Sequence, residues 1–164
     1  KTPFTITGPG EYETKDVYVR GLETRTRYGV GAAPRQSAAL REVGPRLNTI
    51  YYLLVEGMHL CFLGALGSPQ LGEKVHEAIH DVDVLFVPVG GGASLGGLLD
   101  PAEAHKLSLT FSPRLIVPMH YDKETLKKFL REAGQEDARE EEKLVVKKKD
   151  LETKDGVVTV LKIM

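Results

Sequence analysis

Five histidines, one cysteine and 23 acidic side chains are the residues able to bind a metal ion, move a proton or attack a substrate. Their spacing restricts which of these they can do. A catalytic zinc centre typically needs three protein donors and an open position for water, and His59, His76, His80, His105 and His120 are scattered without forming such a set. His76 and His80 stand at i and i+4, a spacing that can hold a metal on one helix face. His80, however, falls at the end of the predicted helix, where the macrodipole favours a cation. The run Leu60-Cys61-Phe62-Leu63-Gly64-Ala65-Leu66-Gly67 would project a side chain from the C-terminal edge of an apolar strand, the edge at which open α/β sheets gather their chemistry. Ala65 brings no chemistry to it.

His120, in Pro118-Met119-His120-Tyr121, closes a strand-like run and has two readings: a metal ligand or substrate contact, or a strand-end residue bonded to nearby backbone. Gly90, Gly91 and Gly92 follow another strand, with Gly96-Gly97 beyond. They either present N–H groups to an anion, as Gly-rich loops before helices can, or form a flexible connection needing positive φ. No lysine at P-loop spacing follows them. With Asp100 and Tyr121 they complete the substrate-facing candidates. His59 follows a hairpin turn and is expected at the surface; His105 is expected on a helix surface or against a strand. Cys61, inside an apolar strand, reads as a buried thiol. No residue is assigned a catalytic role.

The elements that must position these groups follow from apolar periodicity. Thr49 to Val55 and Leu60 to Leu63, separated by Glu56-Gly57-Met58, predict a hairpin. Val82 to Val89 and Arg114 to Pro118 predict two further strands, each with a proline near its exit. Helices are predicted over Gln70 to His80, over Pro101 to Thr110 with Asp100 as N-cap and proline at N1, and over Lys123 to Ala133, stopped by Gly134. The alternation implies an α/β fold. Leu144 to Val146 and Val157 to Ile163 predict a closing strand pair joined through Lys154-Asp155-Gly156.

At 164 residues and a formal charge of −1 the chain fits one domain, with no electrostatic footprint for nucleic acid. The run Lys147-Lys148-Lys149 follows Glu140-Glu141-Glu142, which compensates it, and reads as a solvated edge or a ligand-facing patch. No apolar stretch approaches the ~20 residues that cross a bilayer, and one cysteine forms no internal disulfide. A reducing, cytoplasmic setting without membrane contact is the expectation. Residues 28–47 read as an irregular insertion, either a partner or ligand surface or a disordered stretch.

Gly8-Pro9-Gly10-Glu11-Tyr12-Glu13, Asn48-Thr49-Ile50-Tyr51-Tyr52, Leu63-Gly64-Ala65-Leu66-Gly67, Asp83 to Gly91 and Pro118-Met119-His120-Tyr121 occur in an order and spacing that resembles the metallo-β-lactamase-fold hydrolases related to the ascorbate-6-phosphate lactonases. The resemblance implies an αββα sandwich with metal ions at one edge, of which this chain, 1–164, looks like the second half or a truncated form starting at Lys1. It places the family's later metal-binding histidine near Thr26 and its bridging aspartate on Ala65. Only His120 stands where a ligand is implied, and the opening His-x-His-x-Asp-His cluster is not in this sequence.

Two functions follow. One is a degenerate member with no cofactor, acting as a non-catalytic binding or scaffold module, with His120 a vestigial ligand. The other is a zinc- or manganese-dependent hydrolase of phosphorylated lactones, phosphodiesters or related esters, whose ligands come from a missing N-terminal half. A half sandwich would leave an apolar sheet face uncovered, so the chain is expected to form a homo-oligomer or to pair with a second polypeptide that completes the fold.

Overall fold

A computed structural model describes residues 3–28, 46–91 and 97–162. Strands β1 (Gly10–Thr14) and β2 (Val17–Thr26) form a hairpin whose turn residues Lys15 and Asp16 both take positive φ. Strands β3 (Arg46–Val55) and β4 (Met58–Phe62) form a second, turned at Glu56 and Gly57, again both at positive φ. Two-residue loops with two left-handed residues match the twist of the strands they join. Helix α1 (Glu73–Ala78), strand β5 (Val84–Pro88), helix α2 (Pro101–Phe111), strand β6 (Leu115–Met119) and helix α3 (Lys123–Glu132) then alternate. The chain ends with β7 (Glu140–Glu141), α4 (Lys148–Leu151), β8 (Val157–Val158) and β9 (Val160–Leu161).

Among the described residues the main sheet has the order β1-β2-β3-β4-β5-β6-β8. It is antiparallel from β1 to β4 and parallel from β4 to β8. Parallel neighbours need crossovers, and α1 and α2 supply the first two. Both longer helices begin where the sequence marks them: Asp100 caps α2 in a capping box with Glu103 after which Pro101 enters, and Asp122 caps α3 in a box with Thr125. The helices cover one face of the sheet. Val75, Leu107, Phe111, Leu126 and Phe129 pack there on Ile50, Tyr52, Cys61, Leu85, Val87 and Ile116 in one core. The opposite face carries a smaller cluster in which Leu144, Val146 and Leu151 lie against Met58, Val84, Leu115 and Val117.

The structure corrects several sequence-based boundaries. Residues 144–146 form no strand: Leu144 and Val146 are half-buried against the sheet while Val145 is 69% exposed. The expected closing hairpin is instead β8 paired parallel to β6 and β9 paired parallel to β7, with α4 intervening. Helix α1 stops at Ala78, two residues short of His80. Of the expected insertion at 28–47, Arg46 and Leu47 belong to β3, and residues 29–45 lie outside the described residues.

Candidate functional site

The topology brings the ends of β2, β4, β5 and β6 and the start of β3 to one edge of the sheet. Thr24 and Thr26, Asn48, Ala65, Gly90 and His120 therefore meet there although they span almost 100 residues of sequence.

Asn48 organises this edge. It is 7% exposed, and its amide group is fully used: Nδ2 donates to Thr24 Oγ1 at 2.8 Å and to the Leu63 carbonyl at 3.0 Å, and Oδ1 accepts from the Ala65 N–H at 2.9 Å. Thr24 Oγ1 donates back to the Asn48 carbonyl at 3.2 Å. The turn after β4 must pass Gly64 at φ +64, and a Cβ there would meet Asn48 Oδ1 at 2.6 Å, so glycine is required on both grounds. Thr26, 7% exposed, accepts from the Tyr28 N–H at 3.0 Å and lies 3.4 Å from the Gly97 carbonyl. Each buried polar side chain at the edge is thus satisfied by protein.

His120 is exposed, at φ 51, with its ring centroid 5.6 Å from that of Tyr28. Gly90 and Gly91 are buried, and the Gly91 N–H donates to the Leu99 carbonyl at 2.7 Å. A Cβ on Gly91 would lie 2.3 Å from Leu99 backbone. Gly91 thus serves close backbone packing, and Gly92 lies outside the described residues. Asp100 is exposed and its carboxylate accepts the Glu103 N–H as the α2 cap. Tyr121 is half-buried and donates to the Leu161 carbonyl at 2.7 Å, and burial raises its phenol pKa.

The other histidines lie away from the edge. The helix ends too early for His76 and His80 to share its face: His76 stacks toward Phe111, with ring centroids 6.0 Å apart, and His80 turns toward Tyr52. His105 packs edge-on to Phe129. His59 is half-buried rather than exposed, stacked on Tyr52 and 6.2 Å from the His80 ring. This grouping at the opposite end of the strands was invisible in the sequence, since 21 positions separate its two histidines. Beside it, Asp83, 6% exposed, accepts from the His59 N–H at 2.8 Å and from Lys148 Nζ at 2.7 and 2.8 Å. Cys61 is fully buried, and desolvation pushes its thiol up to about 12, as an inert core residue requires.

The donors that the described residues bring to this edge do not by themselves fit a metal that the fold implies. Ala65 has no donor atom, Thr26 and Asn48 are already engaged, and His120 is a single imidazole, whereas a catalytic zinc takes three protein ligands. Among the described residues no three His, Cys, Asp or Glu side chains gather in a metal-binding group.

Residues 1–120 match the family model described as the beta-lactamase superfamily domain. No curated protein matches the sequence. Among solved structures, a protein described as a proposed zinc-dependent hydrolase of the metallo-β-lactamase superfamily from Thermotoga maritima is 26% identical with a TM-score of 0.64, aligned over 96% of this chain and 72% of its own. Zinc-bound PqqB from Methylobacterium extorquens is 13% identical with a TM-score of 0.52, over 98% of this chain and 54% of its own. The diiron β-hydroxylase CmlA from Streptomyces venezuelae is 12% identical with a TM-score of 0.55, over 94% of this chain and 32% of its own. The chain therefore spans about half, or less, of the length of the latter two. No helix among the described residues is long and apolar enough to cross a membrane. Its sheet, its helices on one face and the family match over residues 1–120 together establish that the chain belongs to the beta-lactamase superfamily and adopts the metallo-β-lactamase type of fold.

Proposed function

We propose that this chain, acting by itself, is a non-catalytic binding or scaffold module of the metallo-β-lactamase fold, from the branch related to the lactonases. The observation that carries the reading is the closed edge: Asn48 joins Thr24, Leu63 and Ala65 by hydrogen bonds at the place where the resemblance puts metal ligands. Without a clustered donor set there is no means to lower the pKa of a bound water toward ~7 and generate hydroxide. Metal analysis after mild purification tests this: less than about one-third of a zinc or manganese per chain is expected. Near-stoichiometric metal, removed together with hydrolysis of a generic phosphodiester or lactone by His120→Ala, overturns it.

A second reading is favoured by the 26% identity to a relative described as zinc-dependent. In it the chain is one part of a metal-dependent hydrolase of phosphorylated lactones, phosphodiesters or related esters, and another polypeptide segment supplies the remaining donors. Hydrolysis reconstituted on adding a segment with a His-x-His-x-Asp-His cluster, and dependent on His120, would establish that reading over the first.

A further inference from the structure

The stretch 143–152 is attached to the sheet differently from the chain on either side of it. Before it, the Glu141 carbonyl accepts from the Lys162 N–H in the β7–β9 pair; after it, the N–H groups of Gly156, Val157 and Thr159 donate to the carbonyls of Pro113, Arg114 and Ile116. Between these two tethers, no backbone group bonds to the sheet among the described residues. The Asp150 N–H turns back to the Lys147 carbonyl, the Lys147 N–H to the Asp150 carboxylate, and the Leu151 carbonyl accepts from the Lys154 N–H. What holds the stretch down is apolar contact, by Leu144, Val146 and the buried Leu151 on Met58, Val84, Leu115 and Val117, together with one ion pair.

That pair is asymmetric. Asp83 is buried and fixed by the sheet: its N–H donates to the His59 carbonyl at 2.9 Å, its carboxylate accepts from the His59 N–H at 2.8 Å, and its carbonyl accepts from the Leu115 N–H at 2.9 Å. Lys148, half-exposed, reaches both carboxylate oxygens with Nζ, at 2.7 and 2.8 Å, from the four-residue helix α4. A helix that short does not hold its own shape in water. Asp81 and Arg114 line the same recess, but Arg114 donates to the Lys154 carbonyl, and no other cation among the described residues pairs with Asp83. Without Lys148 the buried carboxylate keeps a single backbone donor, and breaking a buried pair from one side is the costly way to lose it. The stretch would then keep only its three apolar contacts to the sheet.

We propose that residues 143–152 form a strap that opens as a unit from the otherwise intact sheet, latched by Lys148 on Asp83, so that the charge on Lys148 sets how often Met58, Val84, Leu115 and Val117 are uncovered. This device involves neither a metal nor the functional edge and is independent of the binding-module reading. Segments with few contacts open locally at lower free energy than the whole domain unfolds. The test is labelling of the full chain carrying Leu151→Cys by a disulfide exchange reagent. Cys61, fully buried on the helix-covered face, reports global unfolding in the same molecule. The introduced thiol is expected to label before Cys61. Adding Lys148→Met speeds it about tenfold to a hundredfold, the range for hydrogen bonds to a charged group, and leaves Cys61 labelling and the amide protection of Val157 and Thr159 unchanged. Lys148→Arg, which can still pair with the carboxylate, speeds it far less, and Lys149→Met, at a neighbouring charge outside the pair, not at all. Because Leu151→Cys trims a buried side chain and could unseat α4 by itself, Leu144→Cys, at the other end of the strap, provides an independent reading. Labelling of the introduced thiol and Cys61 at one rate, no acceleration by Lys148→Met, or equal acceleration by Lys149→Met would each overturn the proposal.

Discussion

Asn48→Ala is the perturbation from which the reading of the edge has most to lose. The substitution removes both amide donors and the acceptor, stranding the Leu63 carbonyl and the Ala65 N–H at 3.0 and 2.9 Å from an atom no longer there. A buried group left unsatisfied costs about 1–3 kcal/mol. Leu63 is fully buried but Ala65 is only half-buried, so water reaches one of the two more readily. The expected loss is therefore about 2–4 kcal/mol, which in a domain of this size lowers Tm by roughly 5–12 °C. Urea unfolding followed by circular dichroism reads the free energy, with an unchanged m-value showing that the denatured state is not what moved. Amide exchange adds a local check: the Ala65 N–H loses protection in Asn48→Ala and keeps it in Asn48→Asp, whose carboxylate still accepts from it. A loss below about 0.5 kcal/mol, with Ala65 still protected, would mean that packing of Leu63 and Leu66 holds the turn and that the amide is incidental.

The remaining predictions address other parts of the molecule. Phe129→Ala, at a fully buried side chain between α3 and the sheet, is expected to cost about 3–5 kcal/mol in urea unfolding. Gly91→Ala places a Cβ 2.3 Å from Leu99 backbone and is expected to lower stability by about 1–3 kcal/mol, measured the same way. Burial raises the Tyr52 phenol to about 12 from 10.0, so the folded chain disfavours the phenolate more than the unfolded chain does. The stability this contributes is complete below pH 10 and is lost as pH rises from about 10 to 12; Tyr52→Phe should flatten that part of the stability profile. Cys61 should remain unreactive to a disulfide exchange reagent at pH 8 until urea unfolds the chain, because burial has raised its thiol to about 12. Rapid labelling of the native state would show that β4 is open to solvent.

Local chemistry was legible wherever it depends on neighbours in the chain. Asp100-Pro101 marks the start of α2 in the sequence, and Glu56-Gly57 marks the turn between β3 and β4. The apolar run Leu144-Val145-Val146 reads as a strand but forms none. A period of two says which side chains share a face, and Leu144 and Val146 do, yet it cannot say whether a neighbouring strand is there to accept hydrogen bonds. The sequence predicts a helix reaching His80, while Ile79 leaves it with φ −112 and ψ 111. The glycine run reads as a flexible connection or an anion-facing loop; the close approach of Gly91 to Leu99 is a fact about the two backbones together.

The sequence by itself determined which atoms the chain has to work with: one imidazole and an alanine where the resemblance implies a donor set, one buried thiol, and helix and strand periods that permit an α/β sheet. Tertiary structure alone decided how those atoms are used. Thr24, Asn48 and Ala65 become partners only because the β2, β3 and β4 registers place residues 17 and 24 positions apart within 3 Å of each other. Strand pairing likewise aligns Tyr51, Phe62 and Phe86 into one row. Hydrogen bonding and burial act at distances of a few ångströms in space, and for these residues those distances are fixed by strand pairing rather than by position along the chain.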